Sequence, residues 1–333
     1  MDRRQKALLK RVLSVFVPLV VLLVLSIAGT DFYFAYRILH PQKEAVINTP
    51  QGYEQVLQKP IWDEKTWPGA DGTTIGGWLI YQDHPSPTVI LSHGYGSNRE
   101  EMLSTSYKLW DAGYNVIVYD LRGHGNSSVN ASSVGPAELD DLKKTIAYAK
   151  TLRNDAGTGL YDGRLGLLGA DLGGFISLSA AADDPDVKAV VADTVYPTQS
   201  DYLKYLAKLI VGDSGPPNST LFEGGMFQSL LATTVAVMAK GGTKPMPAVE
   251  AISKFGDRPV LVIVGKSTPL GAYASQVASA APTAQVLELP RTHSGTTLLK
   301  QDAQSYDDAV VAFFTQAKDF APPGRPAHPE EKK

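Results

Sequence analysis

The chain contains no cysteine, which excludes thiol nucleophiles, disulfides and cysteine-ligated metals. It also lacks a surplus of either charge: 31 lysines and arginines stand against 34 aspartates and glutamates, for a net charge of −3. That balance supplies no field for a polyanion, so no nucleic-acid partner is expected. No internal repeat is visible. A further scarcity is local, because Glu288 is the only acidic residue between Arg258 and His293. What is present is a composition of 44% hydrophobic and 20% charged residues over 333 positions, ordinary for a globular protein with a full core.

Residues 1–11 form a basic tail carrying Arg3, Arg4, Lys6, Lys10 and Arg11, and Val12 to Thr30 follow without a charge. As a helix, that run is long enough to cross a hydrocarbon core, which takes about 20 residues. Phe32, Tyr33, Phe34 and Tyr36 suit a membrane–water boundary, and the basic flank orients the tail inside and the rest of the chain outside the cytoplasm. The sequence therefore predicts a transmembrane anchor over 12–30, with the membrane as partner, and a juxtamembrane stalk over 31–52 containing Pro41, Pro50 and Gly52. A cleaved signal peptide is the alternative: Ser26-Ile-Ala28 offers small residues for a cut that would leave a secreted domain.

From residue 53 to residue 320, short apolar runs alternate with helical segments, the pattern of a largely parallel sheet with helices on both faces. Strands are predicted at Leu57–Trp62 and Thr73–Tyr81, as a hairpin around Asp71-Gly72, and at Thr88–Ser92, Asn115–Tyr119, Leu165–Leu168, Val187–Ala192, Val260–Val264 and Gln285–Leu289. Helices are predicted at Arg99–Ala112, Ala137–Leu152, after Asp171, and at Tyr306–Ala317. The alternation stops over 194–257, which reads as a helical cap insertion, and the Pro-rich charged tail 321–333 reads as disordered.

Three loops at strand ends carry the chemistry, where open parallel sheets place their sites. Ser92-His-Gly-Tyr-Gly-Ser97 follows the third strand, and its Tyr95 N–H is positioned to polarise an oxyanion together with that of Leu172. His93 and Gly94 are read as loop structure. Asp120-Leu-Arg-Gly-His-Gly-Asn126 reads as a tight structural turn. Gly169-Ala-Asp171-Leu-Gly173-Gly174 has the strand–turn–helix context and glycine spacing of the G-x-S-x-G nucleophile elbow, with aspartate at the serine position. His293 follows the last strand, in chain order for a catalytic histidine.

With His93-Gly94-Tyr95-Gly96, Asp120-x-Arg122-Gly-His-Gly125, Gly169-x-Asp171-x-Gly173-Gly174 and His293 in register, the chain resembles the α/β-hydrolase superfamily over Gln55 to Phe314. It looks most like bacterial membrane-anchored or exported serine hydrolases related to the S9 and S33 groups. The resemblance implies ester, amide or thioester hydrolysis of a small-molecule substrate without cofactor or metal. Two departures stand out. Asp171 replaces the serine, and the turn where the family carries its triad acid reads Gly265-Lys-Ser-Thr268.

Two readings stay open. In one, Asp171 is a carbon-attacking nucleophile, as in the superfamily's epoxide hydrolases and dehalogenases. His293 then activates water, Asp193 at the end of the sixth strand orients His293, and Tyr196, Tyr202 or Tyr205 supplies a proton. Leu172 stands where the dehalogenases carry a halide-binding tryptophan, which counts against that subgroup. In the other reading the protein is a pseudoenzyme, a tethered binding or scaffold module whose glycine-rich elbow persists as architecture.

Overall fold

The computed structural model describes residues 3–53, 60–154, 157–214, 224–239, 241–290, 292 and 300–322. Eight strands form one sheet in the order β1-β2-β4-β3-β5-β6-β7-β8. They are β1 (Ile61–Pro68), β2 (Thr74–Tyr81), β3 (Ser86–Ser92), β4 (Asn115–Tyr119), β5 (Tyr161–Ala170), β6 (Val187–Asp193), β7 (Val260–Gly265) and β8 (Gln285–Leu289). β1 and β2 are antiparallel to each other, β2 is antiparallel to β4, and all other pairs are parallel. The helices are α1 (Arg3–Leu39), α2 (Pro50–Tyr53), α3 (Leu103–Asp111), α4 (Pro136–Ala149), α5 (Leu172–Asp183), α6 (Gln199–Ser214), α7 (Gly225–Met238), α8 (Ala248–Ser253), α9 (Gly271–Ser279) and α10 (Lys300–Gln316).

The central strands are short apolar runs because both faces of the sheet are covered. Val89, Leu91, Val116, Val118, Val191 and Ile263 share one face and pack with Leu103 and Tyr107 of α3 and Val310 and Phe314 of α10. The alternate residues Ile90, Ile117, Leu167 and Val190 are equally buried and point to the opposite face by the pleat.

The predicted hairpin shifts. Its first strand runs over Ile61–Pro68 rather than Leu57–Trp62, with residues 57–59 outside the described set. This edge strand is mostly exposed and carries Asp63, Glu64 and Lys65, so its apolar signal is weak. The helix predicted from Arg99 opens as a 3₁₀ turn over Arg99–Met102. The stalk segment 31–52 is helical at its start, because α1 continues unbroken through Leu39. No glycine or second proline interrupts it there.

By internal contacts the chain divides into two compact units, Met1–Leu39 with Leu203–Met238, and His40–Tyr202 with Ala239–Lys333. The predicted cap over 194–257 is therefore split, its middle grouping with α1. Residues 323–333 of the predicted disordered tail lie outside the described residues.

The register brings the C-terminal ends of the strands to one edge: Ser92 pairs with Tyr119 and Gly169, Ala170 with Asp193, and Asp193 with Ile263. Helix α5 leaves that edge in close contact with the strands. A Cβ on Gly173 would lie 2.2 Å from the Ser92 carbonyl oxygen, and one on Gly169 would lie 2.2 Å from the Gly173 backbone. Backbone on both sides leaves no side chain to move aside. Gly173→Ala is accordingly expected to destabilise the fold by about 3 kcal/mol, the upper end for overpacking, read as a lower midpoint in urea unfolding.

Candidate active site

Asp171 sits between β5 and α5 with φ 53° and ψ −111°, a left-handed conformation costly for a residue with a Cβ. It is 5% exposed. Its backbone N–H donates to the Asp193 carbonyl at 2.8 Å, so the neighbouring strand end holds the turn in place. Gly94 passes against it: a Cβ there would touch the Asp171 Cβ at 3.4 Å.

The carboxylate is bound asymmetrically. Oδ2 accepts from the Tyr95 N–H at 3.3 Å and from the Tyr202 hydroxyl, and the Leu172 N–H also donates to the side chain. Oδ1, equally buried, has no hydrogen-bond partner among the described residues. The two N–H groups predicted as an oxyanion hole thus converge on the carboxylate of Asp171 itself. Burial pushes its pKa up to about 7, against the pull of the Tyr202, Tyr95 and Leu172 hydrogen bonds and with a further push from the Asp193 charge.

The other strand-end residues are placed as follows. Asp193 is fully buried, accepts from the Thr194 hydroxyl at 2.7 Å and lies within electrostatic reach of the Tyr306 phenol of α10. Thr194 follows it with φ 47°, a second left-handed residue beside the elbow. His93 binds backbone on both ring nitrogens, donating from Nδ1 to the Gly94 carbonyl at 2.7 Å and accepting at Nε2 from the Leu121 N–H at 3.0 Å. Asp120 accepts from the Arg99 and Asn126 N–H groups at 2.8 and 2.9 Å, which ties the third- and fourth-strand loops together. Gly174 packs on Gly169, where a Cβ would meet the carbonyl oxygen at 2.8 Å. His293 lies outside the described residues.

At the turn after β7, threonines converge. A Cβ on Gly265 would contact Thr268, Thr292 and Thr194 within 3.1 Å, and the Thr194 and Thr292 hydroxyls are 2.8 Å apart. Hydroxyls therefore occupy the region where an acid was sought.

Two features were not legible in the sequence. Glu101, in the 3₁₀ turn, accepts from the Gly94 N–H at 3.0 Å and from Ser97, and its carboxyl lies close enough to feel the charges of Asp193 and Asp171. Removal from water raises its pKa to about 8. An acid in the first turn of a helical segment reads as a solvated N-terminal charge, so nothing local marks Glu101 as part of a site. The second feature is the stacking of Tyr196 on Tyr202, with ring centroids 4.0 Å apart and planes at 5°. The Tyr196 hydroxyl is buried without a hydrogen-bond partner among the described residues. Burial pushes both phenols well above their ordinary range, so both keep their protons. Among the described residues no cluster of His, Asp and Glu has the arrangement of a metal site.

A raised folded-state carboxyl pKa means that the folded chain binds more protons than the unfolded chain between about pH 4 and pH 7. The contribution of Asp171 is thus most favourable below pH 4 and is lost as the pH rises through 7. At about 1.4 kcal/mol per pKa unit the loss is on the order of 4 kcal/mol. Thermal unfolding at pH 5 and pH 8 should show a smaller drop in Tm for Asp171→Asn than for the parent chain. A residual drop from Glu101 should remain.

Residues 87–219 match the profile of the alpha/beta hydrolase fold family. Among characterised folds, the chain is similar to the esterase Pf2001 of Pyrococcus furiosus, with a TM-score of 0.61 and 19% identity over 83% of this chain and 99% of that one. By sequence it is similar to YqkD of Bacillus subtilis, 30% identical over 47% of this chain and 52% of that protein. It is also similar to YfhR of Escherichia coli, 29% identical over 38% of this chain and 44% of that protein. The chain spans about half the length of the curated relatives it matches. Sheet order, the match over residues 87–219 and the structural neighbours together show that this chain has the α/β-hydrolase fold.

Proposed function

We propose that the protein is a membrane-anchored hydrolase, with its folded domain outside the cytoplasm, in which Asp171 attacks an electrophilic carbon. The observation that carries this reading is the asymmetry of the carboxylate: Oδ2 accepts from the Tyr95 N–H and the Tyr202 hydroxyl, and Oδ1 is left without a partner among the described residues. A carboxylate nucleophile needs that division. Oδ1 forms the bond to carbon, and Oδ2 becomes the carbonyl oxygen of the covalent ester. When water attacks the ester carbon, the negative charge of the tetrahedral intermediate develops on Oδ2, where the Tyr95 N–H already points.

Among epoxide, carbon–halogen and ester substrates, the epoxide is served best. Opening the ring releases an alkoxide that must take a proton, and the protonated Tyr202 touches the nucleophile with Tyr196 stacked behind it. Leu172 offers no ring N–H to a departing halide. In the second half-reaction His293 takes the proton from the attacking water, with Asp193 orienting it. The product diol leaves as Asp171 is regenerated and Tyr202 regains its proton.

A second reading, a binding module without turnover, is favoured by one observation: Thr194, Thr268 and Thr292 occupy the turn where the superfamily places its acid. Single-turnover reaction with an epoxide panel in oxygen-18 water separates the two. Label in the Asp171 carboxyl is expected for the covalent mechanism, and an unlabelled Asp171 with no product across epoxide, haloalkane and ester panels supports the binding module.

Under the first reading Tyr202→Phe should lower kcat for epoxide opening by about 100-fold, the lower range for loss of a general acid. Hydrolysis of a preformed ester at Asp171 should be much less affected, which rapid-quench measurement of the intermediate resolves.

A further inference from the structure

We propose that α7 docks in the lipid at the boundary where α1 leaves the membrane, so that the protein holds the bilayer by two helices. The proposal rests on the reading of Val12 to Thr30 as a membrane span.

Within the unit formed by Met1–Leu39 and Leu203–Met238, α1 buries Asp31, Phe34, Ala35 and Ile38. These positions form one stripe at helical spacing. Helix α7 buries Phe227, Leu231, Ala232 and Val235 in the same manner. The Phe34 and Phe227 rings meet edge-on with centroids 6.3 Å apart, and the Thr234 hydroxyl donates to Asp31 Oδ2. As the chain advances from Asp31 to Phe34, its partners step back from Thr234 to Phe227, so the helices run in opposite senses.

The outward face of α7 is left over. Met226 is 89% exposed, Val237 74% and Leu230 45%, and no residue from Gly225 to Met238 is charged. A helix facing water normally carries charges on its outer side. This one is instead continuous with the apolar surface of the span, where side chains from Val12 to Leu25 are exposed.

The level along α1 fits a lipid occupant. The uncharged run ends at Thr30, which puts Asp31 and its partner Thr234 at the edge of the hydrocarbon. With a rise of 1.5 Å per residue, Val237 then lies about 5 Å on the acyl side and Leu230 about 6 Å on the headgroup side. Phe32, Tyr33 and Tyr36 are exposed at the same level, as amphipathic rings are at that boundary. The contact also accounts for Asp31: α7 covers a carboxylate that would otherwise face acyl chains, where charge is costly.

The absence of cysteine makes the test direct. Single substitutions Val20→Cys, Leu230→Cys, Val237→Cys and, as an aqueous control, Asp83→Cys are made in the full chain. Each is labelled with a polarity-sensitive fluorophore and reconstituted in phosphatidylcholine vesicles. Brominated acyl chains should quench the probe at Val237→Cys to an extent approaching that at Val20→Cys, with Leu230→Cys intermediate and Asp83→Cys quenched by aqueous iodide alone. If the α7 positions answer to iodide alone while Val20→Cys answers to bromolipid, the anchor stands and the α7 proposal falls. Shielding of the α7 positions from both quenchers would mean that protein covers the helix, which also overturns it. A Val20→Cys probe open to iodide would remove the anchor itself.

Discussion

The Tyr95 and Leu172 N–H groups converge on the carboxylate of Asp171, and the arrangement of the surrounding strand ends serves that contact. It requires Asp171 in a left-handed turn, which requires glycine at 169, 173 and 174 to let α5 close on β3 and β5. It requires the loop after β3 to pass directly over the elbow. That loop is held by His93 through both ring nitrogens and by Glu101 through the Gly94 N–H. In acyl transfer to a serine this donor pair must be empty to receive the substrate's oxyanion. Here it is filled by the protein's own side chain, so the donors can stabilise only charge that develops on Asp171.

Carboxyl groups crowd this edge of the sheet. Asp171, Asp193 and Glu101 lie within electrostatic reach of one another and largely out of water. Burial moves Asp171 to about 7 and Glu101 to about 8, so these two give up protons near neutrality rather than near pH 4. Stability and the fraction of nucleophilic carboxylate are thereby set against each other, because ionising Asp171 costs the fold what the proposed chemistry needs. Two left-handed non-glycine residues, Asp171 and Thr194, end adjacent strands at the same place. Backbone strain and desolvated charge therefore coincide at one site, as they do where geometry is maintained for function.

The elements that could be read ahead of the structure were those whose residues answer to local rules. β4 spans Asn115–Tyr119 and β8 spans Gln285–Leu289, the limits their apolar runs suggested, and the glycine spacing around Asp171 marked the elbow. β1 was misplaced because its sequence carries Asp63, Glu64 and Lys65 in place of an apolar run, with Trp67 alone in the strand buried. The continuation of α1 through Leu39 was missed because Phe32 to Tyr36 read as a boundary belt. The contacts that cover this part of α1 come from α7, some 190 residues further on, where Phe227 meets Phe34 and Thr234 binds Asp31.

By itself the sequence determined the strand–helix alternation, the glycine-flanked strand-to-helix turn at Asp171 and the lack of an acid between β7 and β8. Each of these depends on residue identity and short-range spacing. The tertiary structure decided what Asp171 does with its two oxygens, that Tyr202 rather than Tyr196 reaches it, that Asp193 accepts from Thr194 within electrostatic reach of Tyr306, and that Glu101 joins the group. These residues come from β5, β6, α6, α10 and the turn after β3. Their hydrogen bonds and their loss of water arise only when the sheet register sets those strand ends side by side.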